Sequence, residues 1–243
     1  MRRRFFVERF EDGRAVMRGE TAEHLGRVLR AEAGQLYELS DGASVWLGRI
    51  ENVALTKRGE SRIEFTLVEE VPAREPRVAQ RLLISLIKFD RFEWCLEKAT
   101  ELGASEIVPI AAARSDKALV EAAGKRRARW ERILAESAQQ ARRLRPPTLA
   151  KAVRAAEAFG EDKSARKILL SERPDAPSIR ESLRDAEGGS VTLAFGPEGG
   201  WTDEEMAAAR AAGFAEASLG ENILRAETAV IAAMAVVQFA MRG

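Results

Sequence analysis

"SVTLAFGPEGGWTDEEMAAARAAG", residues 190–213, puts an apolar run, a glycine-rich turn and a helical pattern in immediate succession. Strand, tight turn and helix in that order form the repeating unit of a parallel α/β sheet. The alternation continues to either side. "LLISLI" (82–87), "EIVPI" (106–110), "KILL" (167–170) and "EASLG" (216–220) read as further buried strands. "DRFEWCLEKATELG" (90–103), "KRRARWERILAESAQQARR" (125–143) and "AETAVIAAMAVVQFAM" (226–241) read as helices. In the first of these, Asp90 is expected as the cap, Glu93 at the third position and Gly103 as the stop, with Phe92, Cys95, Leu96, Ala99 and Leu102 along the inner face. The second should turn Trp130, Ile133 and Leu134 inward. The last is apolar nearly all round, which fits either a central core helix or an oligomer contact.

Residues 1–72 differ in texture. "FFVERF", "QLYELS", "SVWLGRIENVAL" and "RIEFTLVEEV" alternate apolar and polar residues and are separated by turn signals such as Asp41-Gly42. One short helix, "TAEHLGRVLR", should present Leu25, Val28 and Leu29 on one side. Short strands without long helices between them predict a small β-barrel. "VPAREPR" (71–77), with Pro72 and Pro76, is the linker, so the expected domains are 1–72 and 73–243.

The 243 residues are 46% hydrophobic, enough for a sizeable core, and no apolar run reaches the length of a membrane span. The basic start "MRRRFFVERF" lacks the apolar stretch of an export signal. A single cysteine, Cys95, excludes an internal disulfide, and a cytoplasmic location is expected. One cysteine and one histidine exclude a His/Cys zinc cluster, and a Ser-His-Asp triad would need His24, which lies in a basic segment. Mg²⁺ on carboxylates stays open, but neither an EF-hand nor a Walker pattern is present, and no metal is expected.

The near-neutral total hides segregated charge. Residues 114–151 hold eleven Lys/Arg against four Asp/Glu, residues 181–227 three against ten, and residues 1–30 eight against five. Basic segments of this kind suit a polyanion, or simply solvated helix faces.

Ligands of open α/β sheets bind beyond the carboxyl ends of the strands. The unusual residues collect there: Lys88 to Arg91, Arg114-Ser115, Ser171-Glu172, Gly196 to Gly200, and Glu221 to Arg225. In the opening stretch, Thr202 and Glu205 have the spacing of a capping box, and Asp203 and Glu204 add negative charge at the positive end of the helix. A phosphate would need those same amides. The turn therefore suits a flat neutral or cationic group held by main-chain atoms, or is a plain strand–helix connection. "SLGENILRAETA" (218–229) adds Gly220 and two apolar loop residues, Ile223 and Leu224, which either wall an adenine or plug the core.

Taken together, "LAFGPEGGWTDEE" and "SLGENILRAETAVIAA" resemble the two C-terminal cofactor motifs of the SPOUT methyltransferases. More narrowly, the chain resembles the bacterial small-subunit rRNA uridine-N3 methyltransferases. "RRFFV" and "HLGRVLR" are similar to that family's PUA-like RNA-binding barrel. "KFDRFEWCLEKATELGASEIVPI" and "RWERILAESAQQARRLRPP" are similar to its first α/β segments. Asn222, Phe89 and Glu97 depart from residues common there, Arg, Gly and Gln.

The resemblance implies an α/β domain with a trefoil knot, an exception to the rule against knots. It also implies S-adenosylmethionine as cofactor, a homodimer, and a uridine of 16S rRNA in the 30S subunit as substrate. Cofactor contacts are expected at Leu170, Ser171, Gly196, Gly199 and Gly200, and at Leu219, Gly220, Ile223, Leu224 and Thr228. Arg2, Arg3, Arg4, Arg27 and Arg30 of the barrel are expected to meet RNA, as are Lys88, Arg91, Arg114, Arg129 and Arg143. Methyl transfer to uracil N3 displaces a hydrogen. Glu198 is a candidate base, or a helix-dipole partner; Arg225 is a candidate to stabilise the ring oxygens, or an ion-pair partner of Glu221 or Glu227. Three other readings stay open: a ribose 2′-O-methyltransferase of the same superfamily, a dinucleotide-dependent oxidoreductase, and a ribosome assembly factor without catalysis.

Overall fold

A computed structural model describes residues 3–56, 61–73, 75–184 and 189–241. The chain divides into two compact units, Met1–Glu75 with Ala138–Pro146, and Pro76–Ser137 with Pro147–Gly243.

The N-terminal unit holds β1 (Arg4–Phe6), β2 (Phe10–Glu11), β3 (Arg14–Arg18), α1 (Gly19–Glu23), β4 (Leu36–Ser40), β5 (Val45–Ala54) and β6 (Arg62–Glu70). Its strands form one mixed sheet in the order β1-β4-β5-β6-β3-β2, with β1 parallel to β4 and the other pairs antiparallel. Phe5, Met17, Leu25, Leu39, Ile50, Ile63 and Phe65 fill its core. The strand "RAVMR" was not legible in advance, because two arginines flank only three apolar positions. The predicted short helix is α1 followed by a π-helical turn, His24–Val28. The wider turn rotates Val28 out to 65% exposure while Leu25 stays buried, correcting the expected stripe.

Residues 138–146 belong with this unit rather than with the α/β unit, which corrects the division at residue 72. Polar bonds explain it. Arg142 joins Arg4 on the buried Glu38 carboxylate, Arg4 Nη1 donates to the Arg142 carbonyl, and Ser40 Oγ donates to the Leu144 carbonyl at 2.6 Å.

The C-terminal unit contains β7 (Val78–Ser85), α2 (Phe89–Glu101), β8 (Ala104–Ala111), most of α3 (Lys117–Gln140), β9 (Thr148–Leu149) and β10 (Val153–Arg154). Then follow α4 (Ala155–Gly160), β11 (Arg166–Leu170), α5 (Ile179–Ser182), β12 (Gly189–Phe195), α6 (Asp203–Ala211), β13 (Ala215–Ala217) and α7 (Ala226–Ala240). Every strand pair here is parallel, in the order β10-β8-β7-β12-β11-β13, with β9 also on β8. Near-continuous apolar strands such as "RLLIS" are buried on both faces. One side packs on α2, α3 and α7 through Phe92, Leu96, Trp130, Leu134, Met234 and Val237; the other packs on α4 and α6 through Phe159, Met206 and Phe214.

Two local expectations change. Lys88, not Asp90, is the cap residue of α2, and no side chain caps it. The strand ends at Ser85 and the chain turns early, leaving Asp90 inside the first turn, where it still opposes the helix dipole. Gly103 does end that helix, at φ +86, a conformation glycine takes without strain. Among the described residues no helix is long and apolar enough to cross a membrane.

Candidate functional site

A cleft of about 760 Å³ opens at the carboxyl ends of the parallel strands, and each of the loops singled out in the sequence contributes to it. Leu170 to Pro174 come from the end of β11, Phe195 to Glu198 from the end of β12, and Ser218 to Arg225 from the end of β13. Arg91 on α2 and Arg114 after β8 close the opposite side. The volume is that of a typical small-molecule site.

The glycine turn after β12 is tied down at many points. Gly200 N donates to the Pro197 carbonyl at 2.8 Å, and Gly200 has φ +70, a backbone state that L side chains avoid. Trp201 Nε1 donates to the Leu170 carbonyl at 3.1 Å and joins this turn to the end of β11. The indole crowds Gly196, where a Cβ would sit a tight 3.2 Å from Trp201 Nε1. Arg114 Nη1 donates to the carbonyls of Gly199 and Trp201, at 2.7 and 3.3 Å.

The capping box of α6 is formed: Glu205 N donates to Thr202 Oγ1 at 3.2 Å and Thr202 N to Glu205 Oε2 at 3.0 Å. The other oxygen, Glu205 Oε1, accepts from Ala113 N at 2.8 Å. A carboxylate with 9% exposure thus seals the helix start and fastens the β8 loop to it. The carboxylate already takes the Thr202 and Ala113 amides, and Asp203 and Glu204 add negative charge, so the helix start disfavours an anion.

The second glycine loop is shaped by Ser218, whose Oγ donates to the Gly220 carbonyl at 2.9 Å and accepts from Gly220 N. Ile223 is 76% exposed, so it does not plug the core; with Leu219 and Leu224 it gives the cleft an apolar wall.

The structure brings together Leu170, Ser171, Gly196, Gly200, Leu219, Gly220, Ile223 and Leu224, with Glu198 and Arg225 on the same lining. It does not bring in Thr228, which is exposed; Ala226 and Ala229, on another face of α7, line the cleft instead. Gly199 sits behind the lining against the Arg114 stem. Trp201, Met206 and Ser218 were missed, although an aromatic directly after a glycine turn signals a packed turn.

The expected RNA-facing residues fare unevenly. Arg2 lies outside the described residues. Arg4 is 5% exposed and bound to Glu38, so it offers no surface to RNA. Arg143 is held by burial, with help from the charge of Arg145, down to about 10, so its guanidinium is partly desolvated. Arg129 makes a two-pronged bond to Glu93, at 2.7 and 2.8 Å. Arg114 grips the glycine turn and Arg91 pairs with Glu198. Arg3, Arg27, Arg30 and Lys88 are exposed, although Arg27 also donates to the Thr56 carbonyl. Among the described residues Arg225 has no ion-pair partner, so neither Glu221 nor Glu227 holds it; Glu227 instead lies 4.0 Å from Arg91. The described residues include no group of His, Cys, Asp and Glu that could hold a metal.

Comparison with known proteins gives a consistent pattern. The profile of the RNA methyltransferase domain family matches residues 74–238. Ribosomal RNA small subunit methyltransferase E of Synechocystis sp. is 33% identical over 87% of this chain and 68% of its own length. The protein of the same name from Mycobacterium bovis is 29% identical over 96% and 90%. The crystal structure of a ribosomal RNA small subunit methyltransferase E from Neisseria gonorrhoeae, bound to S-adenosyl methionine, superposes with a TM-score of 0.86 at 28% identity, covering 99% of this chain and 98% of that one. A Legionella pneumophila protein solved with the same bound cofactor has the same TM-score, identity and coverage.

Proposed function

The chain belongs to the ribosomal RNA small subunit methyltransferase E family, and from that premise we propose that it methylates N3 of one uridine in 16S rRNA, using S-adenosylmethionine. The observation that carries this is the cleft itself. Two glycine loops, from the ends of β12 and β13 on either side of β11, line it together, and relatives of the same fold are solved with that cofactor bound.

The residues present fit the group. Ile223 and Leu224 offer apolar surface to an adenine, and the turns at Gly196 to Gly200 and at Gly220 allow main-chain atoms to approach it. No phosphate is needed, which agrees with a helix start already sealed by Glu205. The bound cofactor supplies an electrophilic methyl group on a sulfonium. The protein's part is to align the acceptor nitrogen and to manage its proton. Arg91 engages Glu198 Oε1, which favours a structural part for this carboxylate over proton abstraction. Arg225, unpaired and on the cleft wall, stabilises the negative charge that develops on the uracil oxygen when N3 loses its hydrogen. N3 lies on the pairing edge, so the base must enter unpaired or flipped out. Exposed Arg3, Arg27, Arg30, Lys88, Lys125 and Arg126 supply phosphate contacts.

The same reading includes a PUA-like barrel at the N-terminus and a trefoil knot in the α/β unit, a fold supported by insertion of β12 between β7 and β11. It includes a homodimer, supported by Phe239 at 88% exposure on α7, and a cytoplasmic location, where small subunits are assembled. The test is incubation of the protein and tritiated S-adenosylmethionine with 30S subunits from a strain lacking the modification. Label on N3 of a single uridine is expected; label on a ribose 2′-oxygen, or none in rRNA, overturns the assignment.

A further inference from the structure

One guanidinium meets two carboxylates beside the cleft. Arg91, in the first turn of α2, donates from Nη1 to Glu198 Oε1, and its Nε lies 4.0 Å from Glu227 Oε1. The two acids have different settings. The Glu227 side chain is 13% exposed, in the first turn of α7, and its Oε2 has no hydrogen-bond partner. A carboxylate so placed is costly unless a cation offsets it. Arg91 is that cation, and the positive end of α7 assists. Glu227 is a fixed anchor on a helix that packs against α2. Glu198 is 53% exposed, at the tip of the Pro197–Gly200 turn.

The other attachments of that turn leave its tip free. Arg114 holds Gly199 and Trp201, and Trp201 holds Leu170. Among the described residues only the Arg91 bond reaches the residue 198 side chain, and it reaches across 107 positions of sequence. We propose that Arg91 is a positioning residue: anchored by Glu227, it latches Glu198 and fixes the Pro197–Gly200 turn as a wall of the cofactor cleft. The proposal rests on the reading of the cleft as the cofactor site. It gives Arg91 and Glu198 a joint role, in place of a phosphate contact for one and proton abstraction for the other. A wall held in place before binding loses less freedom when the ligand arrives, which strengthens affinity without any direct contact. The latch is an ion pair, so salt weakens it. It needs the fork of an arginine to face two acids at once, which a lysine reproduces only in part.

The test uses the full chain, with S-adenosylhomocysteine as the probe in titration calorimetry. Arg91→Ala and Glu198→Ala should each weaken affinity about fivefold, the size of a partly exposed ion pair. The double variant should fall no further than Arg91→Ala alone, since that change already removes the Arg91–Glu198 latch. Arg91→Lys should recover part of the loss, and added salt should weaken the wild type toward the variants while leaving the variants level. Losses that multiply in the double variant, or affinities equal to wild type throughout, overturn the latch. So does an Arg91→Ala variant with intact cofactor affinity and weakened 30S binding, which makes Arg91 an RNA contact. A wild-type chain that binds no S-adenosylhomocysteine overturns the cleft reading and the latch together; binding that the variants leave unmoved overturns the latch alone.

Discussion

Gly196, Gly199 and Gly200 share one turn yet differ in what they tolerate. At Gly196 a Cβ would press on the Trp201 indole at 3.2 Å, and the indole is pinned by its bond to Leu170. At Gly199 the same atom would meet the Arg114 stem at 3.4 Å, an ordinary contact with a flexible side chain. At Gly200 a Cβ would meet only Arg114 Nη1, at an ordinary 3.9 Å, but φ +70 costs a substituted residue about 1–2 kcal/mol. Gly196→Ala should therefore weaken S-adenosylhomocysteine binding by at least about tenfold, and Gly199→Ala by less than about threefold, since only the first must shift a packed ring. Calorimetry that ranks them the other way would show that the turn is held by something other than Trp201. Cys95 offers a second check. Burial, with the negative charge of Glu227, pushes its thiol up from 9.0 to about 12. Below pH 9.0 the folded and unfolded thiols are both neutral, and the native state keeps its full stability. Between there and about 12 the unfolded thiol ionises first, so stability falls as pH rises. At pH 8, iodoacetamide should label Cys95 only as fast as the protein opens, and mass spectrometry of native and denatured samples measures the difference.

Helices were easier to read than their ends. The stripe Phe92, Cys95, Leu96, Ala99 followed from spacing alone, but the first turn of α2 did not: an aspartate near a helix start looks like a cap until the strand before it is seen to stop at Ser85. The short N-terminal helix failed at Val28 for a related reason, since a π turn shifts the face and no local residue announces it. The capping box of α6 was legible because both partners lie within one turn. Its second duty was not: Glu205 also holds Ala113 N, 92 positions away. These two duties predict unequal losses. Thr202→Ala removes a cap and should cost about 1 kcal/mol, a fall in Tm of about 2–4 °C at this size. Glu205→Ala frees amides at both loops and should cost about 3 kcal/mol, with a fall in cofactor affinity that Thr202→Ala does not share. Thermal unfolding and calorimetry on the two variants check the ranking; equal losses would mean that the Ala113 bond contributes nothing.

At the scale of the whole chain, charge could be counted in the sequence but not assigned. The basic stretches were visible, whereas the carboxylates that hold Arg4, Arg91 and Arg129 are brought to them by the fold from 34 to 107 positions away. Hydrophobicity behaved the same way. The all-apolar helix α7 was consistent with a core helix or an oligomer contact, and the structure shows one of its faces in the core. Val230, Ala233, Met234 and Val237 are buried, while Phe239 stands 88% exposed. Ala235 and Ala240 of the same helix are exposed with Phe239, so α7 presents apolar surface to solvent. The homodimer reading supplies the missing surface. Phe239→Lys tests it cleanly, because a side chain so exposed contributes little to the fold of one subunit. Sedimentation should show a dimer for wild type and a monomer, or a dimer weakened by at least about tenfold, for the variant, since burying an unpaired charge at an interface costs several kcal/mol. The apparent Tm of wild type should rise with protein concentration and that of the variant should not, because association stabilises only the folded state. A wild type that sediments as a monomer would remove the dimer from the reading, and a variant dimer of undiminished affinity would move the interface away from Phe239.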